Sequence, residues 1–257
     1  MSSSQSVPSP GLRAAAAYHR KLASRLQARL GSELIAVYAG GSFVLGGYVP
    51  DRSDLDVAAV CRSPLTGEVK TEIGAALRHE SLPCPARGLE LVLYAESSVS
   101  EPMDGAGFEL DLNIGREMPF RLATDPDSAA RHWYLIDRAI LREHGRVIYG
   151  PEARELFAPI PRDALLRALS DSLRWHAEAG VARDDDAVLN ACRAWRYAAE
   201  GAWSSKPAAA AWARERLDDP DLVSRALAER HGEGRLDRDR VEALLGRVER
   251  LLQSAAA

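Results

Sequence analysis

The chain has 257 residues, 46% of them hydrophobic and 27% charged, with a formal net charge of -4. That balance belongs to a folded soluble protein and excludes a broad basic surface for nucleic acid, because neutralising phosphates dominates such binding. No stretch of about 18 uncharged apolar residues is present, which excludes a membrane-spanning helix, so a cytoplasmic monomer without nucleic-acid or membrane partners is the expected state.

The opening MSSSQSVPSPG has neither a basic nor an apolar leader region, and residues 1–10 are expected to be disordered. Residues 11–30, GLRAAAAYHRKLASRLQARL, carry apolar residues at helical spacing and stop at Gly31. ELIAVYAGG (33–41) is β-branched and aromatic and ends in glycines, as a buried strand running into a tight turn does. SDLDVAAVC (53–61) reads as the next strand, GEVKTEIGAALRHE (67–80) as a helix and GLELVLYA (88–95) as a third strand. FELDLNIG (108–115) alternates apolar and polar residues, which predicts a half-exposed or edge strand. Strands alternating with helices make this part α/β, or α+β with a mixed sheet.

SAARHWYLIDRAILREHG (128–145) predicts a helix, and VIYGPEARELFAPIPRD, with its three prolines, a connector. Everything after it reads as helical, near 164–179, 185–203, 206–217, 221–231 and 237–253. The expected organisation is therefore an N-terminal domain over 11–155 and an all-α bundle over 156–257. Cys61, Cys84 and Cys192 are odd in number and in no metal-ligand spacing, which fits reduced apolar fillers. The five tryptophans fall in helical segments as expected core residues, and His176 and His231 read as surface or cap residues.

The chemistry concentrates in GGSFVLGGYVPDRSDLD, Gly40 to Asp56. On a strand, residues i and i+2 share a face, so Asp54 and Asp56 set two carboxylates side by side. Such a pair repels unless a cation neutralises it, and Mg²⁺ is suited, since it is commonly held by one or two carboxylates together with substrate phosphates. Gly40 and Gly41 let backbone come close to a ligand, and the Ser42 hydroxyl can donate to a phosphate oxygen. Glu90 lies inside the apolar run LELVLY, where a carboxylate is expensive to bury, and either completes the metal site or acts as a general base. Each feature alone is common; in this order they point to a metal-dependent nucleotide site.

The pattern Gly41-Ser42 followed by Asp54-x-Asp56 resembles the signature of the DNA polymerase β-type nucleotidyltransferase superfamily. Within it, HGRVIYGPEARELFAPIP, RDDDAVLN and LNACRAWRYAAEGAWSSKPAAAAWARERL resemble the aminoglycoside (3'')(9) adenylyltransferase family of streptomycin and spectinomycin resistance enzymes. The resemblance implies a polymerase β-like nucleotidyltransferase domain, two Mg²⁺ ions on Asp54, Asp56 and Glu90, ATP as co-substrate, and attack of a drug hydroxyl on the α-phosphate. Glu90 matches the family's catalytic base. The helical domain would then bind the acceptor.

In that helical domain, Asn190, Arg193 and Tyr197 recur at i, i+3 and i+7 along one helix face, which lines a ligand cleft or is merely solvated. Lys206 opens a helix before Pro207; the resemblance implies that it meets an ATP phosphate, as a cofactor-binding residue alongside Arg193. Asp184, Asp185 and Asp186 cap the following helix or receive a cationic acceptor, with Asp184 and Asp185 both candidates. The segment NIGREMPFRL lacks the tryptophan of streptomycin-modifying relatives and has Arg116 or Phe120 in that neighbourhood, which separates the chain from them more than from nucleotidyl transfer. Two other readings stay open: an acceptor that is a protein side chain or metabolite, and a non-catalytic nucleotide-sensing module.

Overall fold

The first helix begins where the sequence supplies a cap. The Ser9 hydroxyl accepts a hydrogen bond from the Leu12 amide at 3.3 Å and Pro10 occupies the first turn, so α1 spans Pro10–Leu30. The computed structural model describes residues 9–101, 107–178, 184–229 and 235–256. The disordered start expected at 1–10 lies outside them except for Ser9 and Pro10, which are ordered as cap and first turn, and His231 also lies outside.

The chain divides into two compact units: residues 9–101, 107–129 and 141–158 in one, and the remaining described residues, 130–140 and from 159 onward, in the other. The first holds a mixed six-stranded sheet built from β1 (Leu34–Ala39), β2 (Leu55–Cys61), β3 (Leu89–Ala95), β4 (Phe108–Ile114), β5 (Arg121–Ala123) and β6 (Arg146–Tyr149) in the order β5-β4-β3-β2-β1-β6. Among the described residues, β2 and β3 run parallel and the other pairs antiparallel. Between strands lie the short helix α2 (Gly41–Val44), α3 (Gly67–Ala76) and α4 (Glu96–Val99). Helix α5 (His132–His144) leads to β6, and α6 (Ala153–Leu156) follows it.

The period of two in the strands sorts the sheet's faces. Leu55, Val57, Ala59 and Cys61 of β2, Leu89, Leu91 and Leu93 of β3, and Leu110, Leu112 and Ile114 of β4 form one cluster with Tyr18, Leu22 and Leu26 of α1 and Ile73 of α3. Each such leucine contributes roughly 1.5–3 kcal/mol by leaving water. The acids Asp56 and Glu90 are set one residue out of phase with this cluster, on the opposite face.

Three expectations are corrected. Residues 146–149, read as connector, form β6 beside β1: the Gly150 turn at φ +89° brings it close enough that a Cβ there would lie 2.2 Å from the Ile35 carbonyl oxygen. The strand at 108–114 is interior rather than an edge, because β5 pairs outside it and Arg121 reaches the buried Asp111 carboxylate at 2.8 Å. The helix expected over 67–80 ends at Ala76, where Arg25 donates to the carbonyls of Ala76 and Ser81, both at 2.6 Å.

The second unit is all helical past residue 159: α7 (Arg162–Glu178), α8 (Asp184–Glu200), α9 (Lys206–Arg214), α10 (Asp221–Glu229) and α11 (Arg238–Ala256). Helix α8 is its axis, packed against all four others, with Val188, Leu189, Ala191 and Cys192 fully buried. Trp203, expected in a helix, lies in the connection before α9, buried flat against Tyr197 at 4.1 Å. Trp133, Trp175, Trp195 and Trp212 are half-buried rather than core. All three cysteines are buried, and burial pushes the thiols of Cys61 and Cys192 up to about 12 and that of Cys84 to about 11, so none is a nucleophile.

Candidate active site

The parallel pairing of β2 and β3 sets Asp56 opposite Glu90, and the antiparallel pairing of β3 and β4 sets Glu90 opposite Asn113. On the other side of Asp56, the Gly40 amide donates to its carbonyl at 2.8 Å and prolongs the ladder just past β1. Gly40, Asp56, Glu90 and Asn113 thus stand in one row, on strands about 4.8 Å apart. Asp56 and Glu90 are both half-buried, so two carboxylates face one another at a partly dehydrated surface.

The turn after β1 is shaped to this row. Gly41 has φ +50°, and a Cβ on it would stand 1.8 Å from Asp56 Oδ2 and 2.3 Å from its Cγ. Only glycine lets the backbone pass this close to the carboxylate. Ser42 follows with its hydroxyl oxygen buried and without a hydrogen-bond partner, a donor set for a group the protein does not itself supply. Phe43 then anchors the turn edge-on against His19 of α1 at 4.8 Å and Tyr48 at 5.8 Å.

Asp54 precedes β2 and is held by a residue that the sequence reading missed. Arg87 grips it with both prongs, Nε to Oδ1 at 2.9 Å and Nη2 to Oδ2 at 2.6 Å. The Arg87 backbone is itself fixed: its amide donates to the Ser53 carbonyl at 3.3 Å, and Leu55 donates to Gly88 at 2.8 Å. A charged residue two positions before a strand carries no signal of such a pairing; it follows from the parallel register, which brings the starts of β2 and β3 together.

The donor set suits a hard divalent cation, though not as a closed cage. Among the described residues no group of three or more His, Cys, Asp or Glu side chains is gathered closely enough to enclose a metal ion, and Arg87 occupies both oxygens of Asp54. Of the expected set Asp54, Asp56 and Glu90, the structure places Asp56 opposite Glu90 and holds Asp54 beside them under an arginine. Mg²⁺ fits this, since it takes one or two protein carboxylates and fills its shell with water and phosphate oxygens.

In the helical unit the expected residues separate. Asp184 is buried and accepts from Arg238 of α11 at 2.5 Å, which makes it a strut between helices, while Asp185 is half-buried. Glu229, absent from the sequence reading, lies near both; burial, with the charges of Asp185 and Asp184, pushes its carboxyl above the ordinary range, and its Oε1 is buried without a partner. The stripe Asn190, Arg193, Tyr197 is an internal packing face in part: Asn190 Nδ2 meets the His176 ring at 2.9 Å and Tyr197 stacks on Trp203, while Arg193 is half-buried. His176, expected at the surface, is buried. Lys206 pairs with Asp186 at 2.6 Å, at a helix start capped by Ser205. In the first unit, the loop carrying Arg116 and Phe120 lines a cavity of about 420 Å³ together with Arg78, whose guanidinium lies 4.3 Å over the Phe120 ring.

Comparison with known proteins bears on the family and the fold. Residues 155–255 match the family described as "Aminoglycoside adenylyltransferase, C-terminal domain". An aminoglycoside (3'')(9) adenylyltransferase of Klebsiella pneumoniae is 42% identical over 88 residues, 32% of this chain and 34% of that protein, so the match spans about a third of that relative's length. A spectinomycin 9-adenylyltransferase of Staphylococcus aureus is 27% identical over 240 residues, 87% of this chain and 86% of that one. The crystal structure of spectinomycin adenyltransferase AAD(9) from Enterococcus faecialis with ATP and spectinomycin superposes with a TM-score of 0.67 at 20% identity, over 92% of this chain and 98% of that one. Residues 155–255 thus match the C-terminal domain of aminoglycoside adenylyltransferases, on a chain that shares its fold, over 92% of its length, with a spectinomycin adenyltransferase.

Proposed function

We propose that this chain transfers AMP from ATP to a hydroxyl of an aminoglycoside or aminocyclitol antibiotic, releasing pyrophosphate and conferring resistance. The observation that carries the reading is the row formed by the Gly40-Gly41 turn, Asp56 and Glu90, with the unpartnered Ser42 hydroxyl beside it. Glu90 takes the proton from the acceptor hydroxyl. The hydroxyl oxygen bonds to the α-phosphorus as the bond to the bridging oxygen breaks, and pyrophosphate leaves with that electron pair. Ser42 and the glycine turn hold the triphosphate, and Arg193 and Lys206 add positive charge for it.

Asp56 and Asp54 would hold the Mg²⁺ ions, which when bound neutralise the triphosphate and polarise the reacting phosphate. Asp185, with Glu229 near it, supplies negative charge for the ammonium or guanidinium groups that such antibiotics carry at neutral pH. Because the aromatic of the 115–120 loop is Phe120 and no tryptophan occurs there, spectinomycin is the acceptor favoured over streptomycin.

The test is pyrophosphate release from ATP and Mg²⁺ with spectinomycin, with streptomycin and with no acceptor, using Asp54→Asn as the blank. Release that requires one drug and falls at least about 100-fold in the variant is the expected result. Asp54→Asn turning over within a few-fold of wild type would refute the mechanism. Release without any drug dependence would move the acceptor to a protein side chain or a metabolite.

A further inference from the structure

An acid assigned to a metal is here already carrying a cation of the protein's own. The two N–H groups of Arg87 cover both oxygens of Asp54, whose side chain is only 16% exposed while that of Arg87 is 35% exposed. Parallel prongs of this kind are among the strong side-chain pairings of a carboxylate, and they take the edge on which an ion would be chelated by both oxygens. The backbone at Arg87 cannot retreat with the metal. It is stitched to Ser53 and, through Gly88, to Leu55, while the Glu117 amide donates to its carbonyl at 3.3 Å. On the far side Gly115 packs so closely that a Cβ there would stand 2.4 Å from the Arg87 carbonyl oxygen. The side chain, by contrast, is exposed enough to swing away.

We propose that Arg87 is a resident counter-ion of the site: it holds Asp54 in place in the metal-free protein and must be displaced before a divalent cation can use that carboxylate. The inference rests on the metal-dependent reading above and adds a residue to it. Arg87 is a positioning residue that competes with the metal, and the cation most able to displace it is one delivered with nucleotide phosphates, which give the released guanidinium a new bidentate anion.

The experiment titrates Mn²⁺ into the protein without nucleotide, reading free Mn²⁺ by its electron paramagnetic resonance signal, for wild type, Arg87→Gln and Arg87→Lys. Removing one unit positive charge from beside the carboxylate is expected to tighten Mn²⁺ binding about tenfold in Arg87→Gln. Arg87→Lys, which keeps the charge and loses the fork, falls between. In parallel, Arg87→Gln in chelator melts lower than wild type, and its melting temperature rises more than that of wild type when Mn²⁺ is added. A residue serving only to hold the loop would weaken Mn²⁺ binding on removal, so wild-type binding with equal or weaker binding in Arg87→Gln overturns the inference and leaves the metal site standing. Absence of Mn²⁺ binding in all three proteins, with nucleotide present as well, overturns the metal-dependent reading together with it.

Discussion

A methyl group at position 41 would stand 1.8 Å from Asp56 Oδ2, on a residue whose φ of +50° already disfavours any side chain. Gly41→Ala must therefore displace either the turn or the carboxylate, and a shift of about 1 Å at such a site is worth about 100-fold in rate. Gly46 provides the control, since it has φ +76° but nothing within 4 Å of its would-be Cβ. We expect pyrophosphate release to fall at least about 100-fold in Gly41→Ala and to stay within a few-fold of wild type in Gly46→Ala, although each variant carries a backbone strain of about 1–2 kcal/mol. The pattern G-G-S was legible as a close-approach turn, but the reason for its middle glycine was not: that lies in Asp56, fifteen residues on in the chain and adjacent only once β1 and β2 pair. Arg87 was illegible for the same reason, since its meaning depends on the parallel register of two strands joined by a long connection.

At the scale of an element, a pH dependence of stability belongs to α1, the helix beneath the glycine turn. His19 is 2% exposed, packs edge-on against Phe43, and is pushed down to about 4, first by burial and then by the charge of Arg146. Its folded pKa lies below the ordinary 6.5, so the unfolded chain binds the extra proton between those values. Stability is thus complete above pH 6.5 and is lost as pH falls through the window toward 4, with about 3 kcal/mol at stake. Urea midpoints measured between pH 7.5 and 4.5 should decline in wild type and decline less in His19→Phe. The long periodic elements, α1 and the helices of the second unit, were readable to within a few residues, except that α8 ends at Glu200 before Trp203. β5 and β6 were not, because strands of 3 and 4 residues next to glycine and proline carry too little alternation to register. Asp184 stands in the first turn of α8, as its place in the sequence suggests, and only the packing of α11 on α8 reveals it as the partner of Arg238.

For the molecule as a whole, the proposed roles are divided between two units with separate cores. In the proposed reading, the chemistry falls to β2, β3 and the turn after β1, and acceptor recognition to the helical unit. Glu90→Gln removes the proton acceptor and a negative charge while keeping the size of the side chain opposite Asp56 and Asn113. Turnover should then drop at least about 100-fold while spectinomycin affinity, measured by calorimetry with a non-transferable ATP analogue present, changes by less than about threefold. A parallel loss of affinity would contradict the division of labour. The sequence reading set a domain boundary between residues 155 and 156, where alternating strands give way to helical periodicity. The sharing of 130–140 with the helical unit was not visible there, since a contact between distant segments leaves no mark on either.

The strand order has a further consequence, concerning solubility. The two outermost strands are the shortest, 3 residues in β5 and 4 in β6, while the four between them have 6 or 7. Each rim also begins with an exposed arginine, Arg121 on one side and Arg146 on the other. Another chain arriving edge-on meets only a few backbone groups in a row, each flanked by a charge it would have to bury. An apolar sheet that could otherwise seed its own aggregation is thereby closed off at both ends.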